Sequence, residues 1–365
     1  MAAPPASGSR FRRGIRNNAR VTPGDKIRAR ALEAGFDLVG IAPARRSAHG
    51  DAFLRWLERG LAADMTWMAR DAERRLDPRR VLPGAQSVIV VGLSYAADAP
   101  PDNVWGDALR GRIACYAWGR DYHDVMRPRL EELARAVQAE AGPGAACRVF
   151  ADTSPVLERE AGRQAGLGFI GRNTNLIHPD RGSCFFLGGV LTSLELDVDE
   201  HVDGHCGSCR RCMSACPMGA LVESQVLDAR RCISYLTVEN RGPIPEALRP
   251  SLGRWVFGCD ECQSLCPFVL RRGRPSRTGF LHFVPEQHAP RLEELLRLGE
   301  KDFRARYDGT PVMRTRCRGL RRNAAVAAGN SGRPELVPAL EQVLRDEDPL
   351  LREHARWALA RLRAG

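Results

Sequence analysis

Eight cysteines, seven of them in two closely spaced groups and one between the groups, constrain this 365-residue chain more than any other feature. The first group has the pattern C-x-x-C-x-x-C-x-x-x-C-P and ends at Pro217, and the second has the pattern C-x-x-C-x-x-x-C-P and ends at Pro267. Thiolates separated by two residues can bind successive corners of one cubane cluster, whereas a fourth thiolate further along the chain reaches a neighbouring cluster. The pattern therefore predicts two iron–sulfur clusters that take ligands from both groups.

The second group lacks a leading cysteine, because position 256 is a valine. Cys232, which lies between the groups, is the natural replacement, and the combined spacing resembles that of bacterial two-cluster ferredoxins. We predict that one 4Fe-4S cluster is bound by Cys206, Cys209, Cys212 and Cys266, and the other by Cys216, Cys232, Cys259 and Cys262. Structural zinc at the two C-x-x-C pairs is the alternative, although zinc prefers four tetrahedral ligands and has no use for the following proline.

The sequence outside the cysteine groups predicts a protein that is neither secreted nor embedded in a membrane, and that therefore lies in a reducing compartment. The first twenty residues lack the apolar region of a secretory signal. No stretch approaches the roughly 18 to 20 apolar residues that a membrane span requires. We therefore expect a cytoplasmic protein whose cysteines are cluster ligands rather than disulfides.

Three domains are predicted after a disordered basic tail at residues 1–22. Residues 23–200 alternate helical patterns with short apolar runs typical of buried strands, at 37–41, 87–95, 148–151 and 184–191, and this alternation predicts an α/β domain. Residues 201–270 hold the cysteine groups. Residues 271–365 are helical throughout, after a basic linker.

The helical part contains an internal repeat. Residues 320–327 match residues 351–358 at four of eight positions, and a second amphipathic helix is predicted between the two copies. Paired helices at this period are typical of HEAT-like units, which present binding faces. A generic helical hairpin is the alternative.

Two short motifs have the wrong surroundings for their usual roles. The run Gly166 to Gly171 satisfies G-x-G-x-x-G, but it follows a predicted helix rather than the strand that a dinucleotide site requires. A loop that approaches some other flat cofactor is the remaining possibility. The pattern D-x-H-x-x-G at 199–204, which in some corrinoid enzymes supplies a histidine to cobalt, lacks a strand-and-helix frame and is interpreted as coincidence.

Longer segments resemble the epoxyqueuosine reductase family, the cobalamin-dependent iron–sulfur enzymes that complete queuosine synthesis on tRNA. The likeness covers about residues 25 to 365. It is carried by both cysteine groups, by Arg75 with Leu-Asp-Pro-x-x-Val-Leu-Pro-Gly-Ala after it, by Tyr116-x-x-Gly-x-Asp-Tyr-His123, by Asp152–Arg159, by GLGFIGRNTNLI at 166–177, and by Cys232–Thr237.

The resemblance implies an α/β corrinoid-binding domain, a two-cluster ferredoxin-like domain and an all-α HEAT-like C-terminal domain. The implied reaction reduces epoxyqueuosine to queuosine at the wobble position of the anticodon, with cobalamin receiving electrons from the clusters. Asp152 is implied as the proton donor beside the corrinoid, and cobalamin contacts are implied at Arg75, Asp152, Asn173, Thr174, Asn175 and Ser234.

Asp152 as a proton donor needs a raised pKa, which burial against the corrinoid would provide. The alternative is an ordinary turn or helix-cap aspartate before Thr153-Ser154-Pro155. A corrinoid reductive dehalogenase and a non-catalytic electron carrier are the rival functions. Neither rival needs a basic helical tail, and a carrier does not need so large an α/β domain.

A tRNA partner also gives the net charge of +11 a purpose. Residues 311–365 contain eleven arginines against six acidic residues. The candidate tRNA contacts are Arg271, Arg272, Arg274, Arg321 and Arg322. The resemblance further implies a monomer that acts on tyrosine, histidine, aspartate and asparagine tRNAs, with a low-potential donor such as a flavodoxin or ferredoxin.

Overall fold

A computed structural model describes residues 21–98, 100–142, 144–273, 275–276, 278–284 and 287–364. Residues 1–20 of the predicted basic tail lie outside this set, as do Arg274 and the side chain of Arg272. None of the helices in the described ranges combines the length and the apolar character needed to cross a bilayer.

The first part of the chain is a layered α/β structure, as predicted. Its elements are α1 Pro23–Glu33, β1 Leu38–Pro43, α2 Gly50–Glu58, α3 Thr66–Arg70, α4 Ala72–Leu76, β2 Ser87–Ser94, α5 Asp102–Trp105, β3 Arg112–Ile113, α6 Tyr122–Ala141, β4 Cys147–Phe150, α7 Glu158–Gln164, β5 Phe169–Ile170, β6 Leu176–Ile177 and β7 Phe185–Thr192. The main sheet has the order β1-β2-β7-β4, and every neighbouring pair is antiparallel.

The four apolar runs of the sequence form the four strands of this sheet, so the strand predictions are confirmed. Every residue of β2 is buried, because β1 and β7 flank it and helices cover both faces. Ile27 of α1 and Leu130 of α6 pack on one face. On the other face, Gly162 of α7 lies so close to Leu176 that an added Cβ would approach its side chain to 2.6 Å.

The cysteine-rich segment has little regular structure, as expected of a fold organised around clusters. Its elements are α8 Arg211–Ala215, β8 Leu221–Glu223, β9 Val226–Leu227, β10 Trp255–Phe257, α9 Glu261–Ser264 and α10 Pro267–Arg272. A short π-helical turn, Tyr235–Glu239, follows Cys232 and Ser234. Strand β10 pairs in parallel with β3, which joins this segment to the α/β part.

The last part of the chain is helical. Its helices are α11 Leu292–Leu296, α12 Glu300–Tyr307, α13 Arg316–Asn330, α14 Val337–Val343 and α15 Pro349–Ala364. The two copies of the sequence repeat lie in α13 and α15, whose buried faces share one core. Gly329 permits their close approach, since an added Cβ would lie 2.8 Å from Cα of Ala358. The predicted helical repeat is confirmed.

A buried polar contact joins α13 to the segment that follows Cys232. The guanidinium of Arg322, which is 0 % exposed, donates hydrogen bonds to three backbone carbonyls, those of Leu236, Asn240 and Gly242. The amide of Asn323 donates to the carbonyls of Thr237 and Val256, both at 2.8 Å. Buried carbonyls are costly without donors, so these two side chains fix the helical part against the cluster segment.

Candidate active site and cluster sites

The first predicted set of cluster ligands is brought together. Burial, followed by the charges of Cys206, Cys266 and Cys209, raises the pKa of the Cys212 thiol. Cys266 begins α10, with Pro267 at the first helical position, and it packs in one cluster of side chains with Cys206. The backbone N–H of Arg172 points at Sγ of Cys206, at 3.4 Å.

The second set converges in the same way. Burial raises the pKa of the Cys262 thiol above its ordinary value, and the charges of Cys232 and Cys216 add to this shift. Burial also raises the pKa of the Cys259 thiol, and the charges of Cys262 and Cys232 raise it further. Cys212 of the first set lies within electrostatic range of Cys262, so the two sets are neighbours. Clustered thiols of this kind lose their protons when iron binds them.

A single metal ion does not match this arrangement. Within the ranges that the structure covers, no three His, Cys, Asp or Glu side chains converge closely enough to hold one ion. Four thiolates bound to the corners of a cubane lie further from one another than four thiolates bound to one zinc ion.

A cavity of about 220 Å³ adjoins the second cysteine set. Gln263, the neighbour of Cys262, lines it and hydrogen bonds with the hydroxyl of Tyr95 at 3.0 Å. The remaining walls come from the α/β part: Tyr116, Tyr122, Asp152, Glu158, Arg159, Asn175, Leu176, Ser183, Phe185, Phe186 and Leu187. The cavity is therefore lined by both the candidate catalytic aspartate and the chain neighbour of Cys262.

Asp152 lies on a turn at the mouth of this cavity. It has a φ of +53°, a left-handed backbone conformation that non-glycine residues rarely adopt. Its backbone N–H donates to Oε1 of Glu158. Its carboxylate lies 3.3 Å from Nε2 of His123 and 3.5 Å from Nη1 of Arg314. Strained conformations of this kind persist where surrounding contacts fix them, often in active sites.

His123 is held in place by contacts on both sides of its ring. Its Nδ1 lies 2.7 Å from Oδ1 of Asp121, which also accepts the backbone N–H of His123. The ring stacks on Tyr122, with centroids 4.1 Å apart, and Tyr122 stacks in turn on Phe186. Burial alone would lower the pKa of His123, but hydrogen bonds to Asp121 and Asp152 outweigh it and raise the pKa to about 9.

The expected raised pKa of Asp152 is wrong. Burial alone would raise the pKa of this carboxyl, but the hydrogen bond from His123 and the charge of Arg314 together hold it below its ordinary value. The neighbouring Glu158 behaves in the opposite way, because burial and the charge of Asp152 raise its pKa to about 8. The surroundings thus shift the pKa values of the two neighbouring carboxyls in opposite directions.

The predicted cobalamin contacts divide between the cavity and the second cluster site. Asn175 lines the cavity, and Nε of Arg75 is a buried donor with no hydrogen-bond partner among the described residues. The amide of Asn173 instead donates to the carbonyl of Cys262 at 3.0 Å. The hydroxyl of Ser234 contacts the thiol of Cys232.

Thr174, the fifth predicted contact, has a φ of +66° and accepts hydrogen bonds from Arg159 through both its carbonyl and its hydroxyl. It belongs to the glycine-rich loop, where Gly168 has a φ of +147° and an added Cβ would lie 2.2 Å from the carbonyl oxygen of Ile177. The loop follows helix α7 and not a strand, so it does not have the frame of a dinucleotide site.

The D-x-H-x-x-G residues have structural partners. Asp199 accepts the backbone N–H of Ile41 at 2.9 Å, and the ring of His201 contacts the carbonyl and the guanidinium of Arg163 at 3.2 and 3.3 Å. These contacts fix the segment before the first cysteine group against the α/β part.

The prediction that Arg322 contacts tRNA is wrong, because this side chain is buried and its donors serve backbone carbonyls. Arg321 is partly buried and forms an ion pair with Asp346 at 2.8 Å. Arg271 is exposed on α10.

Four site residues received no role from the sequence. Tyr122, His123 and Glu158 lie within segments that carry the family resemblance, so a signal was present for them. Arg314 comes from the helical part, in a turn before α13, and no local pattern distinguishes it from its many arginine neighbours.

The fold and these sites define a two-cluster iron–sulfur protein with an α/β catalytic part and a helical-repeat extension. Three family models match separate parts of the chain. Residues 75–153 match epoxyqueuosine reductase QueG, residues 205–269 match the 4Fe-4S double cluster binding domain, and residues 311–364 match HEAT repeats.

Similar proteins carry the same family name. An epoxyqueuosine reductase of Xanthomonas campestris is 42 % identical over 349 residues, which is 94 % of this chain and 98 % of that protein. Among solved structures, an epoxyqueuosine reductase with a tRNA-Tyr epoxyqueuosine-modified stem loop is 27 % identical, with a TM-score of 0.85, and the match covers 93 % of this chain and 89 % of that one.

A Bacillus subtilis epoxyqueuosine reductase, solved with the loop of its catalytic aspartate swung out of the active site, is 27 % identical with a TM-score of 0.83. That match covers 93 % of this chain and 90 % of the Bacillus chain. The chain belongs to the epoxyqueuosine reductase family.

Proposed function

We propose that this protein reduces epoxyqueuosine to queuosine in tRNA at the cavity between Asp152 and the second cluster site. The reduction is the family's reaction and completes queuosine synthesis at the wobble position of the anticodon. The observation that carries the assignment of the site is that Asp152 and Gln263 line one cavity, with Nε2 of His123 3.3 Å from the carboxylate of Asp152 and with Gln263 next to Cys262 in the chain.

The two cysteine sets would hold the two 4Fe-4S clusters, and the matched double-cluster domain supports this. We assign the first cluster to Cys206, Cys209, Cys212 and Cys266, and the second to Cys216, Cys232, Cys259 and Cys262. Their electrostatic coupling supports this division. Because Gln263, the chain neighbour of Cys262, lines the cavity, electrons would enter the active site from the second cluster.

Cobalamin fits the residues at this site. The unpartnered Nε of Arg75 and the position of Asn175 in the cavity wall are consistent with a polar cofactor there. Arg75, Asp152, Asn173, Thr174, Asn175 and Ser234 would hold it, with Asn173 and Ser234 lying toward the second cluster. When bound, cobalamin would supply the strongly reducing centre that this reaction needs.

Asp152 would handle the proton that the opening epoxide oxygen requires. Since His123 and Arg314 keep its carboxyl ionised, Asp152 must take up a proton as negative charge develops on the substrate, and the adjacent imidazolium of His123 can deliver one. The Bacillus subtilis relative is solved with its catalytic loop swung out of the active site, which supports an adjustable position for the turn that carries Asp152.

The tRNA would lie along the exposed basic surface of the helical part, with Arg271 and Arg321 as candidates and Arg272 and Arg274 as further ones from the linker. A relative bound to a modified tRNA stem loop supports a tRNA substrate. The base must leave the anticodon stack to reach the cavity. We further propose a monomer in the cytoplasm, where tRNA is found, that acts on tyrosine, histidine, aspartate and asparagine tRNAs and receives electrons from a flavodoxin or ferredoxin.

The test is anaerobic purification with metal and corrinoid analysis, followed by an assay on tRNA from a strain that accumulates the epoxide. We expect about eight irons per chain, bound cobalamin, and conversion of epoxyqueuosine to queuosine. Zinc in place of iron, or unchanged tRNA, would contradict the assignment. Conversion without any corrinoid would show that cobalamin is not required, while the proposed reaction would still hold.

A further inference from the structure

The reaction needs more protons than one carboxyl can supply. Reduction of an epoxide to an alkene takes two electrons and two protons, breaks both carbon–oxygen bonds and releases the oxygen as water. Asp152 accounts for one proton, on the proposed function. A second proton must therefore reach the same oxygen.

Glu158 occupies the right place for this task. It is the first residue of α7 and lines the cavity together with Asp152. One carboxyl oxygen, Oε1, accepts the backbone N–H of Asp152. Across the described residues no hydrogen bond to its other oxygen, Oε2, is formed, so that atom is available to carry a proton.

The charges around Glu158 come from three elements. Asp152 and Arg159 lie on its own segment, Tyr122 and His123 come from α6, and Arg75 comes from α4. Burial and the charge of Asp152 dominate and raise the pKa of Glu158 to about 8, while Arg159 and His123 oppose them. Two neighbouring carboxyls whose environments drive their pKa values apart are the usual sign of an acid and a base with separate roles.

We propose that Glu158 is a second catalytic acid, which donates its proton to the oxygen of the substrate as the second carbon–oxygen bond breaks. The first proton converts the opened epoxide oxygen to a hydroxyl group. The two electrons that the reduction delivered to the opened carbon then form the alkene as the hydroxyl departs, and the proton of Glu158 makes it water. Solvent then restores the proton of Glu158. This inference rests on the proposed function.

A purely structural role for Glu158 would be to hold the turn that carries Asp152. The two roles respond differently to Glu158→Gln. The amide oxygen of glutamine can still accept the N–H of Asp152, but the side chain has no carboxyl proton to donate. The matched control is Glu160→Gln on the same helix, because the pKa of Glu160 is held low by Arg163 and Gln164 against the effect of burial.

The experiment measures single-turnover conversion of epoxyqueuosine tRNA against pH, with the prereduced holoenzyme. Wild type should lose activity as the pH rises through about 8, where Glu158 ionises. Glu158→Gln should react about 100-fold more slowly or worse, as expected for a lost general acid, and should lack the decline near pH 8. Glu160→Gln should keep the wild-type profile, and thermal unfolding shows whether either variant is misfolded.

Infrared spectroscopy of the substrate-free protein gives a readout that does not depend on turnover. A protonated carboxyl band that titrates near pH 8 should be present in wild type and Glu160→Gln and absent in Glu158→Gln. If Glu158→Gln keeps the rate, or is slower with an unchanged pH profile, or if no such band exists, the proposal is overturned. Failure of wild type to convert the tRNA would instead count against the proposed function.

Discussion

The guanidinium of Arg314 lies 3.5 Å from the carboxylate of Asp152, although 162 positions separate the two residues in the chain. Nε of the same guanidinium forms an ion pair with Oε1 of Glu239 at 2.7 Å. Arg314 belongs to the turn Pro311–Thr315 at the start of the helical part. The part of the protein expected to hold tRNA thus touches the catalytic turn directly.

Replacing Arg314 should disturb Asp152. In Arg314→Gln the carboxyl loses a neighbouring positive charge, so the pKa of Asp152 should rise and the turn should be held less firmly. We expect turnover to fall about 10-fold or more through misplacement, with the pH profile displaced upward on its acidic side. Arg333→Gln, an exposed arginine of the same helical part, is the control. Equal pH profiles for the two variants would refute the coupling.

Arg322 should matter for stability and not for tRNA affinity. Arg322→Met leaves three buried carbonyls without donors, which should lower the free energy of unfolding by about 3 kcal/mol or more. Chemical denaturation measures this change. The matched control, Arg356→Gln at an exposed position of α15, should stay within about 0.5 kcal/mol of wild type. A wild-type midpoint for Arg322→Met would show that its buried contacts are dispensable.

Cys232 should be indispensable for the second cluster. Serine is a poor iron ligand, so anaerobically purified Cys232→Ser should hold about four irons per chain instead of about eight and should not reduce the tRNA. Cys147→Ser is the control, because Cys147 contacts only Thr192 Oγ1 by hydrogen bonding and a serine can do the same. Full iron content in Cys232→Ser would mean that the fourth ligand is another residue.

The stability of the helical part should fall in mild acid. His354 is fully buried, donates from Nδ1 to the carbonyl of Leu350, and accepts the N–H of Ile244 through Nε2. Burial lowers its pKa to about 4, so the folded state keeps it neutral while the unfolded chain protonates near pH 6.5. Stability should therefore be complete above pH 6.5 and decline as the pH falls toward 4. Urea midpoints at several pH values measure this, and His354→Gln should show a weaker decline.

Arg271 should contribute to tRNA affinity through phosphate contact. Arg271→Ala should weaken binding of all substrate tRNAs about equally and reduce the slope of log affinity against log salt by about one. Filter binding over a range of salt concentrations measures the slope. Arg30→Ala, on the exposed side of α1, is the control. An unchanged slope would place Arg271 outside the tRNA surface.

Local sequence patterns predicted the elements that local chemistry decides. The strands of the main sheet are short apolar runs, and β2 is apolar enough to be buried along its whole length. The cluster ligands could be proposed from spacing because a cubane fixes the distances between its thiolates. Cys232 could be assigned only because the second group visibly lacks one member.

Properties that depend on distant segments were not predictable. The ionisation of Asp152 is set by His123 and Arg314, which come from separate parts of the chain. Arg322 could not be distinguished from surface arginines in an arginine-rich helix, because its burial depends on the distant carbonyls of Leu236 and its neighbours, together with the side-chain oxygen of Asn323.

The contacts of Arg322 and Asn323 with the turn after Cys232 have a consequence for protein engineering. Helix α13 supports the cysteine-rich segment, so we expect that the whole helical repeat cannot be removed or exchanged to redirect the enzyme to other RNAs. A chimaera that retains α13 and replaces only the outer helices is the version that would keep its iron.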